Sequence, residues 1–288
     1  MNIENESRVA EPALAFDQAY SVLMSVYAGD RAEWLVDSLE SMAAQTVPPT
    51  EIVLVFDGPL GDELLAAVGT FEAGHPGLLV RVPLAENHGL GPALNAGISR
   101  CTTDIIMRMD SDDLSLPGRC EAQLVKLAEG YDMVGCNILE FSEDPEHPNA
   151  QRIMPECHED IVRFAHRRAP FVHPTFAIRK QALLDVGGYR SVPYAEDFDL
   201  FVRLIRSGCR GFNIQTPLFC VRVDENAYRR RGGISYLGNM LSFNALQLRE
   251  GWFSPWDFLV RSTANIVVAL VPNAIRDGVY KRFLRRRS

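Results

Sequence analysis

Apolar and polar positions in the first hundred residues alternate between two rhythms. Ser21–Tyr27 (SVLMSVY), Glu51–Phe56 (EIVLVF), Leu78–Val82 and Asp104–Met109 are short apolar runs of strand length. Segments of helical period lie between them. In 31–45, Leu35, Leu39 and Met42 recur at i, i+4 and i+7, and Asp62–Glu72 and Pro92–Ser99 follow as shorter helices. Strands alternating with helices at this spacing predict an α/β fold with a mostly parallel, doubly wound sheet and helices on both faces. Ligands of such sheets bind beyond the carboxyl ends of the strands. Two acidic motifs, Asp57-Gly58 and Asp110-Ser111-Asp112-Asp113, fall at those ends.

After about residue 140 the rhythm changes. Glu143–Pro155 reads as a Pro-rich loop, His173–Arg179 as a strand, and Ala195–Ser207 as a helix with an apolar stripe of Phe198, Val202 and Ile205. Residues 234–250 and 256–284 read as helices. No internal repeat and no clean linker divides the chain.

Composition narrows the classes. The 288 residues are 47% hydrophobic and 23% charged, ordinary for a globular protein, with a net charge of −8. That balance argues against a nucleic-acid partner, since phosphate contacts need Lys and Arg. The charge is uneven: Lys281, Arg282, Arg285, Arg286 and Arg287 stand at the C-terminal end. The run Val279–Arg287 alternates aromatic and basic residues, as a helix lying on an anionic membrane surface would; a solvated tail is the alternative. No C-x-x-C pair occurs, and the first 20 residues, with Glu4, Glu6 and Glu11, lack a signal-peptide pattern. A cytoplasmic location is expected, peripheral on the inner membrane face if the basic run binds lipid. The longest apolar stretch, Ala264–Ile275, is too short to span a membrane and is broken by Asn265, Pro272 and Asn273.

The candidate chemistry is mostly acidic. In extended chain, Asp110 and Asp112 would face the same side, so both carboxylates could meet one hard cation such as Mn2+ or Mg2+. Asp113 offers a third carboxylate; a solvated acidic turn is the structural alternative. Asp57, directly after a strand, could accept a hydrogen bond from a base or ribose, or simply mark a tight turn. The loop 86–97 (ENHGLGPALNAG) has Leu94 where a dinucleotide fingerprint needs its third glycine, so it reads as a strand-to-helix turn that lets backbone and Asn side chains approach a ligand. Glu196 and Asp197 open a helix, where carboxylates are favoured by the macrodipole and where a general base could equally be held. His173 could be a metal or acceptor contact, or a structural residue. Arg229 and Arg231 could hold a diphosphate or belong to a solvated basic loop.

Taken in order, SVYAGD at 25–30, VFDG at 55–58, the Asn87–Gly97 block, RMDSDD at 108–113, VGGY at 186–189 and AEDFDL at 195–200 resemble glycosyltransferase family 2, with its GT-A nucleotide-diphospho-sugar transferase fold. The run from His173 to Leu204 most resembles exopolysaccharide, capsule and O-antigen transferases, including the amylovoran-biosynthesis type. The resemblance implies an inverting, metal-dependent transfer of one sugar from a nucleotide-diphospho-sugar, usually a UDP-sugar. The acceptor would be a saccharide hydroxyl, lipid-linked in cell-surface polysaccharide synthesis. It implies that Asp57 binds the nucleobase, Asp110 the ribose or metal, Asp112 the metal, and that Asp197, with Glu196 beside it, is the base. Ser25, Tyr27, Asn87, Asn95, Arg108 and Ser111 would line the donor site. The opening segment departs from the family, with Ser25-Val26-Tyr27-Ala28 where Pro commonly precedes Tyr-Asn. The Q-x-x-R-W motif of processive members does not occur, which fits single addition. The implied organisation is a polar arm over 1–19 and a catalytic domain over 20–233, followed by a helical extension over 234–288. Within the domain, the nucleotide-binding half is about 20–115 and the acceptor half about 116–233. A sugar nucleotidyltransferase, which would carry a Gly-rich basic loop where Ala28-Gly29-Asp30 stands, and a non-catalytic nucleotide-sugar-binding subunit are the alternatives.

Overall fold

The computed structural model describes residues 19–223 and 233–270. Residues 1–18, the segment with Arg229 and Arg231, and the run Val279–Arg287 lie outside the described residues. The four early apolar runs become adjacent parallel strands. These are β1 (Ser21–Val26), β2 (Glu51–Phe56), β3 (Leu79–Pro83) and β4 (Ile105–Arg108), side by side in the order β3-β2-β1-β4. Every residue of β2 and β4 is buried, because helices cover both faces. On one face α1 (Ala32–Ala43), α2 (Asp62–Gly74) and α4 (Arg119–Ala128) bury Leu35, Leu39, Leu64, Phe71 and Leu124 against the sheet. On the other, α3 (Leu90–Ile98), α5 (His158–Ala165), α6 (Lys180–Asp185) and α7 (Glu196–Arg206) contribute Leu94, Ile161, Leu183, Leu200 and Phe201. Gly97 lets α3 sit close to the sheet, since a Cβ there would lie 2.3 Å from Leu23 Cδ1 and 2.8 Å from Val55 Cγ2.

Beyond β4 the sheet becomes mixed. β8 (Ala177–Arg179) runs antiparallel to both β4 and β6 (Met133–Phe141), while β6 pairs in parallel with β9 (Gly211–Arg222). The short strands β5 (Leu114–Ser115) and β7 (Ala150–Arg152) add antiparallel edges to β9 and β6. The parallel reading of the sequence therefore holds for the first half, and the second half adds antiparallel strands. Two segments differ from expectation. The loop 143–155 contains β7, and the expected strand His173–Arg179 begins instead as a 3-10 turn, His173–Thr175. Pro174 in that turn has no N–H to donate to a strand ladder.

α8 (Ile234–Arg249) and α9 (Pro255–Leu270) form a helical hairpin packed on α7 through Phe198, Val202, Met240, Phe243 and Phe253. Asp199, fully buried in α7, meets Arg203 at 2.7 Å and accepts from Gln247 of α8 at 3.2 Å.

The two edges of the parallel strands differ electrostatically. At the amino edge the buried Glu51 accepts from Ser21 Oγ at 2.6 Å and from Thr102 Oγ1 at 2.8 Å. Burial alone would raise its carboxyl, but these hydrogen bonds hold it below its ordinary value. At the carboxyl edge, acids crowd together, and their hydrogen bonds and the Arg108 charge do not offset the crowding at Asp112 and Asp113.

Candidate active site

The chain leaves β4 at Arg108 and turns through Asp110-Ser111-Asp112-Asp113 before β5. A tight turn, rather than extended chain, brings the carboxylates together. Oxygens of Asp110, Asp112 and Asp113 all lie within 4.8 Å of one another. Asp30, after β1, reaches into the same group and accepts from Ser111 Oγ at 2.9 Å and from the Tyr27 N–H at 3.1 Å. Burial, then the charges of Asp110 and Asp30, push the Asp112 carboxyl up to about 7. Burial, with Asp112 and Asp110, also raises Asp113 well above the usual carboxylate range. Asp113 is held by the Arg222 N–H at 2.8 Å, and Arg222 Nε donates to the Asp112 carbonyl at 3.0 Å. Arg222 in turn is clamped between Trp34 and Phe141, 4.9 and 4.6 Å from their ring centres. Hard oxygen donors in this number and spacing fit Mn2+ or Mg2+, and a dication would relieve the mutual repulsion that raises Asp112.

Arg108 supplies the counter-charge. Its guanidinium is buried at the end of β4 and ion-pairs with Asp110. Burial alone would lower its pKa, but Asp110, Tyr189 and Asp113 raise it. Arg108 Nε has no hydrogen-bond partner among the described residues.

Asp57 follows β2 and is buried. Its two oxygens accept the backbone N–H groups of His88 at 2.8 Å and Gly89 at 3.0 Å, and Asn87 Nδ2 donates to its carbonyl at 3.1 Å. The carboxylate thereby fixes the loop that leads into α3. Gly58, at φ +89°, is required here, because a Cβ would lie 2.8 Å from the Asn87 backbone nitrogen.

The third element is the start of α7. Asp197 Oδ1 accepts the N–H of Phe198 at 2.7 Å, in the first turn of the helix. Burial, assisted by Asp197, raises the Glu196 carboxyl above its ordinary value. Tyr194, just before α7, has φ +65°, a conformation that a non-glycine residue adopts only where its surroundings enforce it. Tyr189 joins these acids to the first half of the site. Burial raises its phenol, and the charges of Asp197, Asp110 and Glu196 raise it further, while Arg108 opposes them. The Tyr189 hydroxyl lies 2.7 Å from His173 Nε2. Burial and then the Arg108 charge hold His173 well below its ordinary value, so the ring is neutral. Gly91, in the first turn of α3, completes the ring: a Cβ there would lie 3.4 Å from Tyr189 Cβ and 3.9 Å from Glu196 Cβ. Acids distant in sequence thus gather around Arg108 and Tyr189 at one edge of the sheet.

Residues 21–188 match the family model described as "Glycosyl transferase family 2". The chain belongs to glycosyltransferase family 2. This glycosyltransferase is 31% identical, over 93% of its length and 97% of the relative's, to the UDP-Gal:alpha-D-GlcNAc-diphosphoundecaprenol beta-1,3-galactosyltransferase of Escherichia coli. It is 36% identical to the amylovoran biosynthesis glycosyltransferase AmsE of Erwinia amylovora, over 80% of this chain and 85% of that one. Among solved structures it superposes on the mannosyltransferase PcManGT from Pyrobaculum calidifontis, in complex with GDP-Man and Mn2+, with a TM-score of 0.62 and 17% identity over 93% of this chain and 81% of that one. It superposes on S. aureus TarS 1-349, in complex with UDP-GlcNAc, with a TM-score of 0.61 and 16% identity over 92% and 71%. The fold is GT-A, with a helical C-terminal extension.

In this family 2 glycosyltransferase the expected site residues do not all lie together. Asp110, Ser111, Asp112, Arg108, Glu196, Asp197 and His173 converge around Arg108 and Tyr189. Ser25 and Tyr27 stand at the end of β1, beside that edge. Asp57 and Asn87 are joined to each other, and Asn95 is bonded at both ends of its amide to the main chain of Tyr189, at 2.8 Å each. Asn95 is therefore a strut between α3 and the Tyr189 turn. Arg229 and Arg231 are outside the described residues. Asp30, Tyr189 and Arg222 join the site without having been marked as site residues by the sequence. Asp30 and Tyr189 lie inside the family-like motifs SVYAGD and VGGY and so were detectable; Arg222 carries no local signal. No helix among the described residues is long and apolar enough to cross a membrane.

Proposed function

We propose that this glycosyltransferase moves one sugar, in a single inverting displacement, from a nucleotide-diphospho-sugar to a hydroxyl of a lipid-linked saccharide. The observation that carries this reading is the convergence of the acidic turn after β4 and the start of α7 around Arg108 and Tyr189. Asp110 and Asp112 would hold Mn2+ or Mg2+, which when bound neutralises charge on the departing nucleoside diphosphate. Asp197 would take the proton from the acceptor hydroxyl as that oxygen attacks the anomeric carbon from the face opposite the leaving group. Its place at the positive end of α7 suits a carboxylate. Glu196, whose carboxyl is raised, holds a proton more readily and is the second acid at the same helix start. Asp57 would order the loop 86–89 against the donor base, and neutral His173 would fix the Tyr189 phenol at the site.

A UDP-sugar is the favoured donor, supported by the relative named for UDP-Gal and by the fold neighbour complexed with UDP-GlcNAc. The diphosphoundecaprenol acceptor in that relative's name supports a lipid-linked acceptor. Such an acceptor lies at a membrane, where Val279–Arg287 would find anionic lipid. We take 20–233 as the catalytic unit and 234–288 as its extension.

The test is a panel of nucleotide-sugars with Mn2+, read first by thermal stabilisation and then by transfer to a diphospholipid-linked saccharide. One UDP-sugar should both stabilise the protein and be consumed with glycoside formation. Stabilisation by none of the panel, together with pyrophosphate release from a sugar phosphate and a nucleoside triphosphate, would contradict the proposal.

A further inference from the structure

The α8–α9 hairpin has an unusual outer surface. α9 carries only two charged residues, Asp257 and Arg261, and both turn inward. Asp257 is buried and accepts from Ser254 Oγ at 2.8 Å, with His166 at 3.2 Å. The Arg261 guanidinium lies over Phe198 and Phe253, 4.8 and 4.9 Å from their ring centres. The opposite side of α9 exposes Trp256 (64%), Leu259 (55%), Ile266 (40%) and Val267 (55%). Their spacing places them along one helical stripe. α8 exposes Ile234, Gly238, Ser242 and Ala245, and its one charged residue is Arg249 at the last turn. α9 therefore turns an uncharged, largely apolar stripe to solvent on a chain that is 23% charged.

The charge of the chain beyond α9 points to the occupant. The sequence after Leu270 contains Arg276, Lys281, Arg282, Arg285, Arg286 and Arg287 against a single acid, Asp277. A second copy of the chain would offer this face the same cation-rich sequence and no complementary charge. An anionic bilayer would instead accept both the apolar stripe and the adjoining cations. The chain as a whole is acidic, with a net charge of −8, so the excess of cations after Leu270 is the part of the sequence that an anionic surface would attract.

We propose that the exposed α9 stripe, flanked by α8, is a docking surface for an anionic lipid bilayer, on which the helices lie in the plane of the headgroups with Trp256 at the interface. This deepens the proposed function, on which it rests only for the presence of a lipid-linked acceptor; the surface itself is read from the hairpin. The apolar face and the basic segment act as two signals, each weak alone.

The experiment uses the full chain and sedimentation with phosphatidylglycerol–phosphatidylcholine vesicles, compared with phosphatidylcholine alone. Leu259→Glu combined with Val267→Glu should lower the partition coefficient at least about ten-fold, since two exposed side chains would no longer enter the acyl boundary. The melting temperature should stay that of the parent. Brominated lipid should quench Trp256, and Trp256→Phe should remove that quenching while keeping the fold. Deleting residues 279–288 should weaken binding mainly at low salt and leave a salt-insensitive remainder from α9. Parent-like binding by the double variant, or bromolipid quenching unchanged in Trp256→Phe, overturns the proposal. So does a parent protein that ignores vesicles but forms a dimer that the double variant dissolves. Turnover with a short soluble acceptor should be unchanged in the double variant. Absence of transfer by a parent protein that binds vesicles would instead count against the proposed function.

Discussion

Replacing Asp112 by Asn should make the protein more stable and remove part of its pH dependence. Asp112 is half-buried beside Asp110 and Asp30, and its carboxyl stands at about 7 against an ordinary 3.8. An acid raised in the folded state contributes no penalty below its unfolded value. Its penalty then grows with pH and is complete above the folded value, because the unfolded chain releases the proton first. At 1.36 kcal/mol per pH unit the full penalty is about 4 kcal/mol, more than half of which develops between pH 5 and pH 8. Denaturant unfolding of parent and Asp112→Asn in chelator, at both pH values, isolates this group. The variant should gain on the parent by about 1–3 kcal/mol as the pH rises, since Asp113 and Asp110 relax when their neighbour loses its charge. Adding Mn2+ at pH 8 should return stability to the parent and little to the variant. A stability difference between the two that does not change from pH 5 to pH 8 would refute the picture of a crowded, cation-ready acidic turn.

Other substitutions probe the remaining parts. Asp197→Asn should lower kcat by about 10²–10⁴-fold while calorimetric donor affinity is kept, as expected for loss of a general base. Asn95→Ala removes both amide bonds to the Tyr189 main chain. It should cost about 1–3 kcal/mol in denaturant unfolding, because the main-chain groups of Tyr189 lose their partners. Asp199→Asn removes the negative charge that stands 2.7 Å from the buried Arg203. It should destabilise by about 3–5 kcal/mol, visible as a clear fall in melting temperature.

The first half of the fold was legible because parallel strands buried on both faces leave uninterrupted apolar runs. The expected runs at 51–56 and 104–109 became β2 and β4 within one or two residues. The second half was less readable for physical reasons. β6 (MVGCNILEF) has Asn137 and Glu140 buried within its apolar run, and β9 carries Pro217, which pairs with Asn137 where the register shifts. That irregularity hides a strand of 12 residues from a period-based reading. At the site, the acidic motifs were visible as residue types, and their grouping followed from falling at strand ends. Their wiring was not visible. Asn95 looks like a ligand-facing side chain in sequence, and only the fold shows both ends of its amide taken by Tyr189. Arg222 meets Asp113 across 109 positions of chain, a contact for which no local pattern exists.

Proton NMR of the transferred sugar, taken early in a reaction of the full chain with the proposed UDP-sugar donor, Mn2+ and a lipid-linked acceptor, probes the proposed chemistry at the bond that changes. One displacement assisted by Asp197 predicts a product whose anomeric configuration is opposite to that of the donor. A product that keeps the donor's configuration would contradict it.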